Sequence, residues 1–253
     1  MSIWGKIVGG AAGFALGGPI GALVGAAAGH AVDRLAGTGA AEPEGPESRE
    51  NTKKIAFTIG VVALGAKMAK ADGVVTRDEV DAFKRVFRIP PEEEANVARV
   101  FNMARRDSAG FEVYAKQIAE LFEDGHPVLE ELLTCLMQIA RADGTIHDAE
   151  LAYLRQVATI FGLSETDFAR LRAAELGPDA GDPYTILGVP HDADEETIKA
   201  AYRRLVRENH PDRLIAQGMP QEFVDVANEK LATINAAYDR LRGARAPAGD
   251  GTP

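Results

Sequence analysis

The sequence is poor in cysteine and in aromatic residues, and it carries no excess of positive charge. Its single cysteine, Cys135, excludes an internal disulfide and a cysteine-rich zinc module. It lies in the apolar run LLTCLMQIA, where a free cysteine behaves as a small buried hydrophobe. Only 6% of the residues are aromatic, which favours helix over strand in a chain rich in Ala, Leu, Glu and Arg. The formal net charge of −10 argues against nucleic-acid binding, which requires a cationic surface.

The amino-terminal segment has no charged residue from Ile7 to Gly29. As a helix with a rise of about 1.5 Å per residue it would reach about 34 Å, the thickness of the hydrocarbon core of a bilayer. Glycine recurs at every fourth position, and such a stripe lets a second helix approach closely in lipid. We therefore predict a self-associating transmembrane helix, with two chains meeting at Gly9, Gly13, Gly17, Gly21 and Gly25.

Other interpretations of this segment are a signal peptide, a disordered Gly/Ala leader and a helical hairpin folded at Gly18-Pro19. A signal peptide has a shorter apolar run of about 7 to 15 residues, so this interpretation fits poorly. One basic residue, Lys6, precedes the span, and four follow it: Arg34, Arg49, Lys53 and Lys54. The positive-inside rule then predicts a single pass through the inner membrane, with the bulk of the chain in the cytosol.

A motif in the middle of the chain occurs twice, as AKADGVVTRDE at 69–79 and ARADGTIHDAE at 140–150. Each copy is predicted to be a helix, an Asp-Gly turn and a second helix. The spacing matches the second half of an EF-hand loop, but Lys70 and Arg141 occupy positions where calcium needs an oxygen ligand. We interpret the copies as structural hairpins, in which glycine closes one helix and an acidic residue favours the start of the next. The sharper alternative is a metal site formed by both copies from Asp72, Glu79, Asp143 and Glu150.

Residues 51–176 as a whole are predicted to form about seven helices. The runs PPEEEANVARVFNMARRD, GFEVYAKQIAELFED and SETDFARLRAAEL supply three of them. With its doubled K/R-A-D-G hairpins, this segment resembles the TerB family of tellurite-resistance proteins. The resemblance implies a helical fold and says little about activity.

The carboxy-terminal segment contains a basic amphipathic helix followed by His210-Pro211-Asp212. Asp194 can cap this helix, and Ile198, Tyr202 and Leu205 recur at the spacing of a core-facing stripe. Its basic residues gather on another face, and the tripeptide is predicted to begin a loop beside them, because helices generally end around proline. The basic residues are Lys199, Arg203, Arg204 and Arg207.

His210 and Asp212 could in principle do chemistry, bind a metal or be read by another protein. A triad would need a serine or cysteine nucleophile, and a metal site would need further ligands; neither is evident near this pair. A rigid charged corner beside a basic face is better suited to docking an acidic partner. We therefore predict a binding surface with no catalytic residue.

The segment 182–245 resembles the J domain of DnaJ-type co-chaperones. The resemblance rests on Asp182-Pro183-Tyr184, Leu187-Gly188-Val189, the His-Pro-Asp tripeptide and INAAY at 234–238, in the order and spacing of the family. It implies that His210, Pro211, Asp212 and the basic face engage a DnaK-type chaperone and stimulate its ATP hydrolysis. The ATPase site would then belong to the partner, so the chain is predicted not to be an enzyme and to need no cofactor.

The order of the parts resembles the DjlA family of membrane-anchored DnaJ-like co-chaperones. This resemblance implies a membrane-tethered co-chaperone with an unidentified client, and the glycine row predicts a homodimer. The rival hypothesis is a metal- or stress-sensing membrane adaptor that acts through the Asp-Gly hairpins, which would bind calcium or zinc in calorimetry. The predicted fold is all-α, with an anchor (1–36), a linker (37–50), a TerB-like domain (51–176), a second linker (177–181), a J domain (182–245) and a disordered tail (246–253).

Overall fold

All regular elements that the structure describes are helices. It is a computed structural model that describes residues 20–21, 46–71, 81, 83–84, 89–106, 110–122, 126–141, 144, 146–175 and 181–245. No strand occurs within these ranges. The prediction of an all-α fold is therefore confirmed.

Among the described residues of the TerB-like domain, six α-helices and a short 3-10 helix have defined bounds, and residues 81 and 83–84 are also helical. The elements with defined bounds are α1 (Pro46–Ala71), the 3-10 helix Pro91–Glu93, α2 (Glu94–Arg106), α3 (Phe111–Leu121), α4 (His126–Ala140), α5 (Asp148–Ile160) and α6 (Glu165–Glu175). Helix α1 begins inside the segment predicted to be a linker, so residues 46–50 are helical. Proline suits the first position of a helix, because its fixed φ is already helical and its missing N–H would have no partner there.

Helix α1 is the centre of the TerB-like domain. All residues from 55 to 69 are buried, because α2, α3, α4 and α5 pack around this helix. Tyr153 of α5 donates a hydrogen bond from its hydroxyl to the backbone oxygen of Leu64 at 2.8 Å. The free Cys135 is fully buried in the same core, as its apolar surroundings predict.

Four α-helices and a second 3-10 helix follow. They are α7 (Pro183–Leu187), α8 (Glu195–Glu208), α9 (Pro211–Ala216), the 3-10 helix Gln221–Phe223 and α10 (Val224–Arg245). The long α10 packs against α7 and α8. Gly188 ends α7 with a φ of 67°, a left-handed conformation that glycine adopts without strain. Ile186, Leu187, Leu205 and Ile234 lie in the small core between these helices.

The predicted anchor lies almost entirely outside the described residues, which include neither Gly9, Gly13, Gly17 nor Gly25. Ile20 and Gly21 are described and buried, and the backbone N–H of Ile20 donates to Oε1 of Gln117 in α3 at 3.1 Å. Within the described ranges, no helix is both long and apolar enough to cross a bilayer.

Candidate functional site: the basic helix and the His-Pro-Asp corner

Helix α8 forms because its sequence supplies a cap and an apolar stripe. The Asp194 carboxylate accepts a hydrogen bond from the backbone N–H of Thr197 at 2.8 Å, which satisfies one of the free amides at the start of the helix. Ile198 and Leu205 are buried, and Tyr202 is half-buried. The helix therefore turns one face towards α10 and leaves the opposite face to solvent.

The four basic residues predicted on α8 all lie on its exposed surface. Arg204 forms an ion pair with Glu208 one turn later, with Nη1 and Oε2 2.8 Å apart. A shallow groove on the same surface is lined by Lys199 and Arg203 together with Glu195 and Glu196. We refer to the basic set as the cationic stripe: Lys199, Arg203, Arg204 and Arg207.

The cationic stripe ends at a corner built by Asn209 and His210. Asn209 is buried, and its side-chain amide donates to the backbone oxygen of Leu205 at 2.8 Å, which fixes the end of α8. His210 has an extended backbone, with φ −67° and ψ 127°, and its Nδ1 accepts the backbone N–H of Asp212 at 3.3 Å. The chain therefore changes direction at a corner held by two side-chain hydrogen bonds.

The prediction of a loop after this corner is wrong, because Pro211 begins helix α9. Proline at the first position of a helix loses no hydrogen bond, so a new helix can begin at Pro211, three residues after α8 ends at Glu208. His210 is the cap of α9, and Asp212 lies in its first turn. His210 thus lies between two helices, and Pro211 and Asp212 form the start of the second one.

Both polar side chains of the corner face solvent. The side chains of His210 and Asp212 are 54% and 90% exposed, and Nδ1 of the histidine lies 3.9 Å from Oδ2 of the aspartate. Residues 182–245 contain neither serine nor cysteine, so no nucleophile for a triad comes from this domain. The two side chains are therefore open to contact from solvent.

Helix α8 is joined to α10 by a contact that sequence analysis did not predict in detail. The rings of Tyr202 and Tyr238 are stacked, with centroids 4.1 Å apart and planes 6° apart. The Tyr202 hydroxyl also donates to Oδ1 of Asn235 at 3.1 Å. Because Tyr202 lies between the buried positions and the cationic stripe, this contact sets how α8 is rotated on α10.

The duplicated hairpins give a partial test of the metal alternative. Asp72, Glu79 and Asp143 lie outside the described residues, whereas Glu150 lies in the first turn of α5 and accepts the backbone N–H of His147 at 2.9 Å. Gly144 has a φ of 100°, as the prediction of a left-handed turn requires. No group of three or more potential ligands converges among the residues that the structure describes.

A buried charged cluster that was not predicted from the sequence lies where α4 and α6 meet α10. Lys230 places its Nζ 2.6 Å from Oε1 of Glu131 and 3.2 Å from Oε2 of Glu130. Nη2 of Arg170 lies 2.5 Å from Oε1 of Glu130. We call these four residues the junction cluster: Glu130, Glu131, Arg170 and Lys230. The only signal in the sequence was a pair of glutamates inside the apolar run of α4.

Two carboxyl groups at this junction have pKa values shifted in opposite directions. Burial acts to raise the pKa of Glu130, but the charges of Lys230 and Arg170 outweigh it and lower the pKa to about 2. Glu175, at the end of α6, has its pKa raised to about 7, first by burial and then by Glu131 and Glu229, against the opposing charges of Arg141 and Lys230.

These shifts predict how stability depends on pH. The raised pKa of Glu175 means that the folded state binds a proton more readily than the unfolded state, so its contribution to stability is lost as pH rises from 4.5 through 7. The contribution of Glu130 is present above 4.5 and is lost as pH falls towards 2. Glu175→Gln should therefore gain stability over the wild type between pH 5 and 7, by at most about 1.4 kcal/mol per pH unit.

The measurement is urea unfolding of both proteins, followed by circular dichroism, at several pH values between 5 and 8. Thr166→Ala, at an exposed position on the same helix, is the control; because it removes no ionisable group, its difference in stability from the wild type should not change with pH. A difference between Glu175→Gln and the wild type that does not change with pH would contradict the prediction.

Comparison with known proteins covers nearly the whole chain. Residues 1–51 match the family "Co-chaperone DjlA transmembrane domain", residues 58–173 match "Tellurite resistance protein TerB", and residues 182–246 match "DnaJ domain". These matches confirm the resemblances to the TerB family and to the J domain. No solved structure matches the chain.

Curated relatives align from end to end. The co-chaperone protein DjlA of Photobacterium profundum is 30% identical over 95% of this chain and 98% of its own length. The proteins of the same name from Aliivibrio fischeri and Vibrio cholerae are 31% and 29% identical, each over 96% of this chain and 98% of its own length. With matches to these three family models and relatives of up to 31% identity along almost their whole length, the chain belongs to the DjlA family of co-chaperones.

Proposed function

We propose that this protein is a membrane-tethered co-chaperone whose J domain binds a DnaK-type chaperone and stimulates its ATP hydrolysis. The observation that carries the proposal is the exposure of the cationic stripe together with His210 and Asp212 at one end of α8. The match to the DnaJ domain and the names of the relatives support it. The reaction takes place in the partner, so this chain supplies recognition and no catalytic group.

The charge of the stripe indicates what kind of surface it recognises. The chain as a whole has a net charge of −10, so four basic residues on one helix face form a locally distinct patch. Such a patch attracts an acidic surface, raises the association rate and fixes the orientation of the partner. We therefore place an acidic face of the chaperone on α8, with His210, Pro211 and Asp212 at the edge of the contact.

Reversing the charge of the stripe tests this directly. The double substitution Arg203→Glu and Arg207→Glu should lower the association rate of the full chain with a DnaK-type chaperone by about tenfold at low salt. The effect should shrink as salt rises, because exposed charges are screened. Biolayer interferometry with the full chain in lipid nanodiscs measures both effects.

The matched control is Lys116→Glu with Arg242→Glu, which makes the same change of net charge on exposed residues of α3 and α10. If both double variants lose association rate equally, the attraction belongs to the net charge of the chain and the stripe is not the docking surface.

The match to the DjlA transmembrane domain supports tethering by residues 1–51. We further propose a single pass with the bulk of the chain in the cytosol, from the basic residues that follow the span. Tethering raises the local concentration of the recruited chaperone near membrane clients. The client itself is unidentified.

The glycine row is proposed to pair two chains within the membrane. Replacing Gly9, Gly13 and Gly17 by leucine should abolish self-association, because leucine side chains would separate the two backbones. Crosslinking of the full chain in nanodiscs and in detergent measures the dimer. Leucine at Ala11, Ala15 and Ala22, on the opposite side of the same helix, should leave the dimer intact, and an unchanged dimer in the glycine variant would refute the proposal.

A further inference from the structure

The segment that follows His-Pro-Asp is buried in the core of the other domain. The J domain has its own small core between α7, α8 and α10. Five buried residues between the middle of α9 and the first turn of α10 are absent from this core and belong to the core of the TerB-like domain. These residues are Leu214, Met219, Phe223, Val226 and Ala227.

Aromatic contacts hold this segment in place. The ring of Phe223 meets the edge of Phe57 in α1, with centroids 4.9 Å apart and planes at 76°. Phe57 also contacts Phe122 in an edge-to-face arrangement at 6.4 Å. Phe57 and Phe223 are both almost fully buried, so an aromatic side chain of the J domain packs into an apolar site of the TerB-like domain.

The backbone itself comes close at Gly218. A β-carbon at this position would lie 2.9 Å from Cβ of Lys53 in α1 and 3.2 Å from the ring of Phe122. Gly218 also has a φ of 108°, which side chains rarely adopt. Only glycine therefore permits this approach between the two domains.

Charged and helical contacts extend the interface on its other side. Lys230 of α10 enters the junction cluster between two glutamates of α4. Helix α7 packs on α6, where Cδ of Arg170 lies 3.4 Å from the position of a β-carbon on Gly188. The J domain thus contacts α1, α4 and α6, and apolar burial is combined with paired buried charge. Domains joined by such an interface move together, whereas small polar interfaces permit independent motion.

We propose that the TerB-like domain holds the J domain, and with it the His-Pro-Asp corner, in a fixed orientation, so that the two domains form one rigid body. Leu214 lies two residues after Asp212 and is fully buried in the core of the TerB-like domain. About half a turn of α9 therefore connects the exposed corner to that core. Phe223 and Lys230 are then positioning residues. They do not contact the chaperone, but they set the direction of the corner relative to the rest of the chain. This assigns the TerB-like domain a mechanical role in recognition.

The first test needs no partner protein. Spin labels at Gln156→Cys in α5 and Asp239→Cys in α10, both exposed positions, report the distance between the domains in the full chain in nanodiscs. The buried Cys135 stays in place. With labelled chains diluted in an excess of unlabelled chain, so that only distances within one chain are measured, we expect one narrow distance distribution. A broad distribution in the wild-type chain, as two independently tethered domains would give, overturns the proposal.

Variants separate docking from folding. Phe223→Ala should broaden the distribution while circular dichroism retains the helical signal. Leu154→Ala is the control, because this fully buried leucine belongs to α5, which packs on α1, α3 and α4. It should lower the unfolding temperature and keep the distribution narrow. If both variants broaden the distance distribution equally, the contact between Phe223 and Phe57 does not hold the two domains together, and the proposal fails.

The second test depends on the proposed function. Phe223→Ala leaves the cationic stripe and His210 unchanged, so binding of a DnaK-type chaperone should persist while stimulation of its ATPase falls severalfold. Unchanged stimulation with a broadened distance would show that docking does not position the corner, and would refute that part of the proposal. If the wild-type chain gives no stimulation, the proposed function fails, and the distance measurement still decides whether the domains form one body.

Discussion

Replacing Lys230 by methionine should lower the free energy of unfolding by about 3–5 kcal/mol, because it leaves a buried carboxylate without its counter-charge. The lysine side chain is only 2% exposed, and that of Glu131 is 1% exposed. Oε2 of Glu131 already accepts no hydrogen bond among the described residues, so Oε1 and its contact with Lys230 carry the compensation. Methionine fills a similar volume, so the loss reports charge and not a cavity.

The same experiment can be made quantitative by a double-mutant cycle. Lys230→Met combined with Glu131→Gln removes both charges of the pair, and it should recover most of the lost stability. Glu130 keeps Arg170 in each variant. Lys116→Met, an exposed lysine on α3, is the control and should change stability by about 0.5 kcal/mol at most. Chemical unfolding of the full chain in nanodiscs supplies the values, and equal costs for the two lysines would contradict the account of the cluster.

Local signals in the sequence were sufficient for most helices. The predicted cap at Asp194 and the apolar spacing after it correspond to α8. The glutamates after Pro90 precede and open α2, and SETDFARLRAAEL contains α6. Caps, prolines and periodic apolar residues act over a few residues, which is why they can be read directly from a sequence.

The domain junction could not be predicted in this way. Phe57 and Phe223, or Glu130 and Lys230, are about a hundred residues or more apart in the chain, and nothing local pairs them. Leu214 and Phe223 fit the apolar pattern of a J-domain core equally well, so the pattern cannot show that they enter another core. The corner itself was identified, but its proline was predicted to lie in a loop, whereas Pro211 begins helix α9.

His210→Gln should abolish stimulation of a DnaK-type chaperone without unfolding the protein. The histidine side chain is 54% exposed, and its Nδ1 accepts one hydrogen bond, from the backbone N–H of Asp212. Loss of a capping side chain lowers the free energy of unfolding by about 0.5–2 kcal/mol, which leaves the chain folded. A complete loss of stimulation would therefore arise from recognition. Unfolding of the variant, checked by circular dichroism, should occur within about 2–8 °C of the wild-type temperature.

The measurement that tests the central claim most directly is the rate of ATP hydrolysis by a DnaK-type chaperone in a single turnover. The full chain in nanodiscs is added as wild type, as His210→Gln and as His191→Gln, a second exposed histidine of the same domain. The account predicts stimulation by the wild type and by His191→Gln, and the unstimulated rate with His210→Gln. Equal rates with all three chains, whether raised or unstimulated, would contradict it.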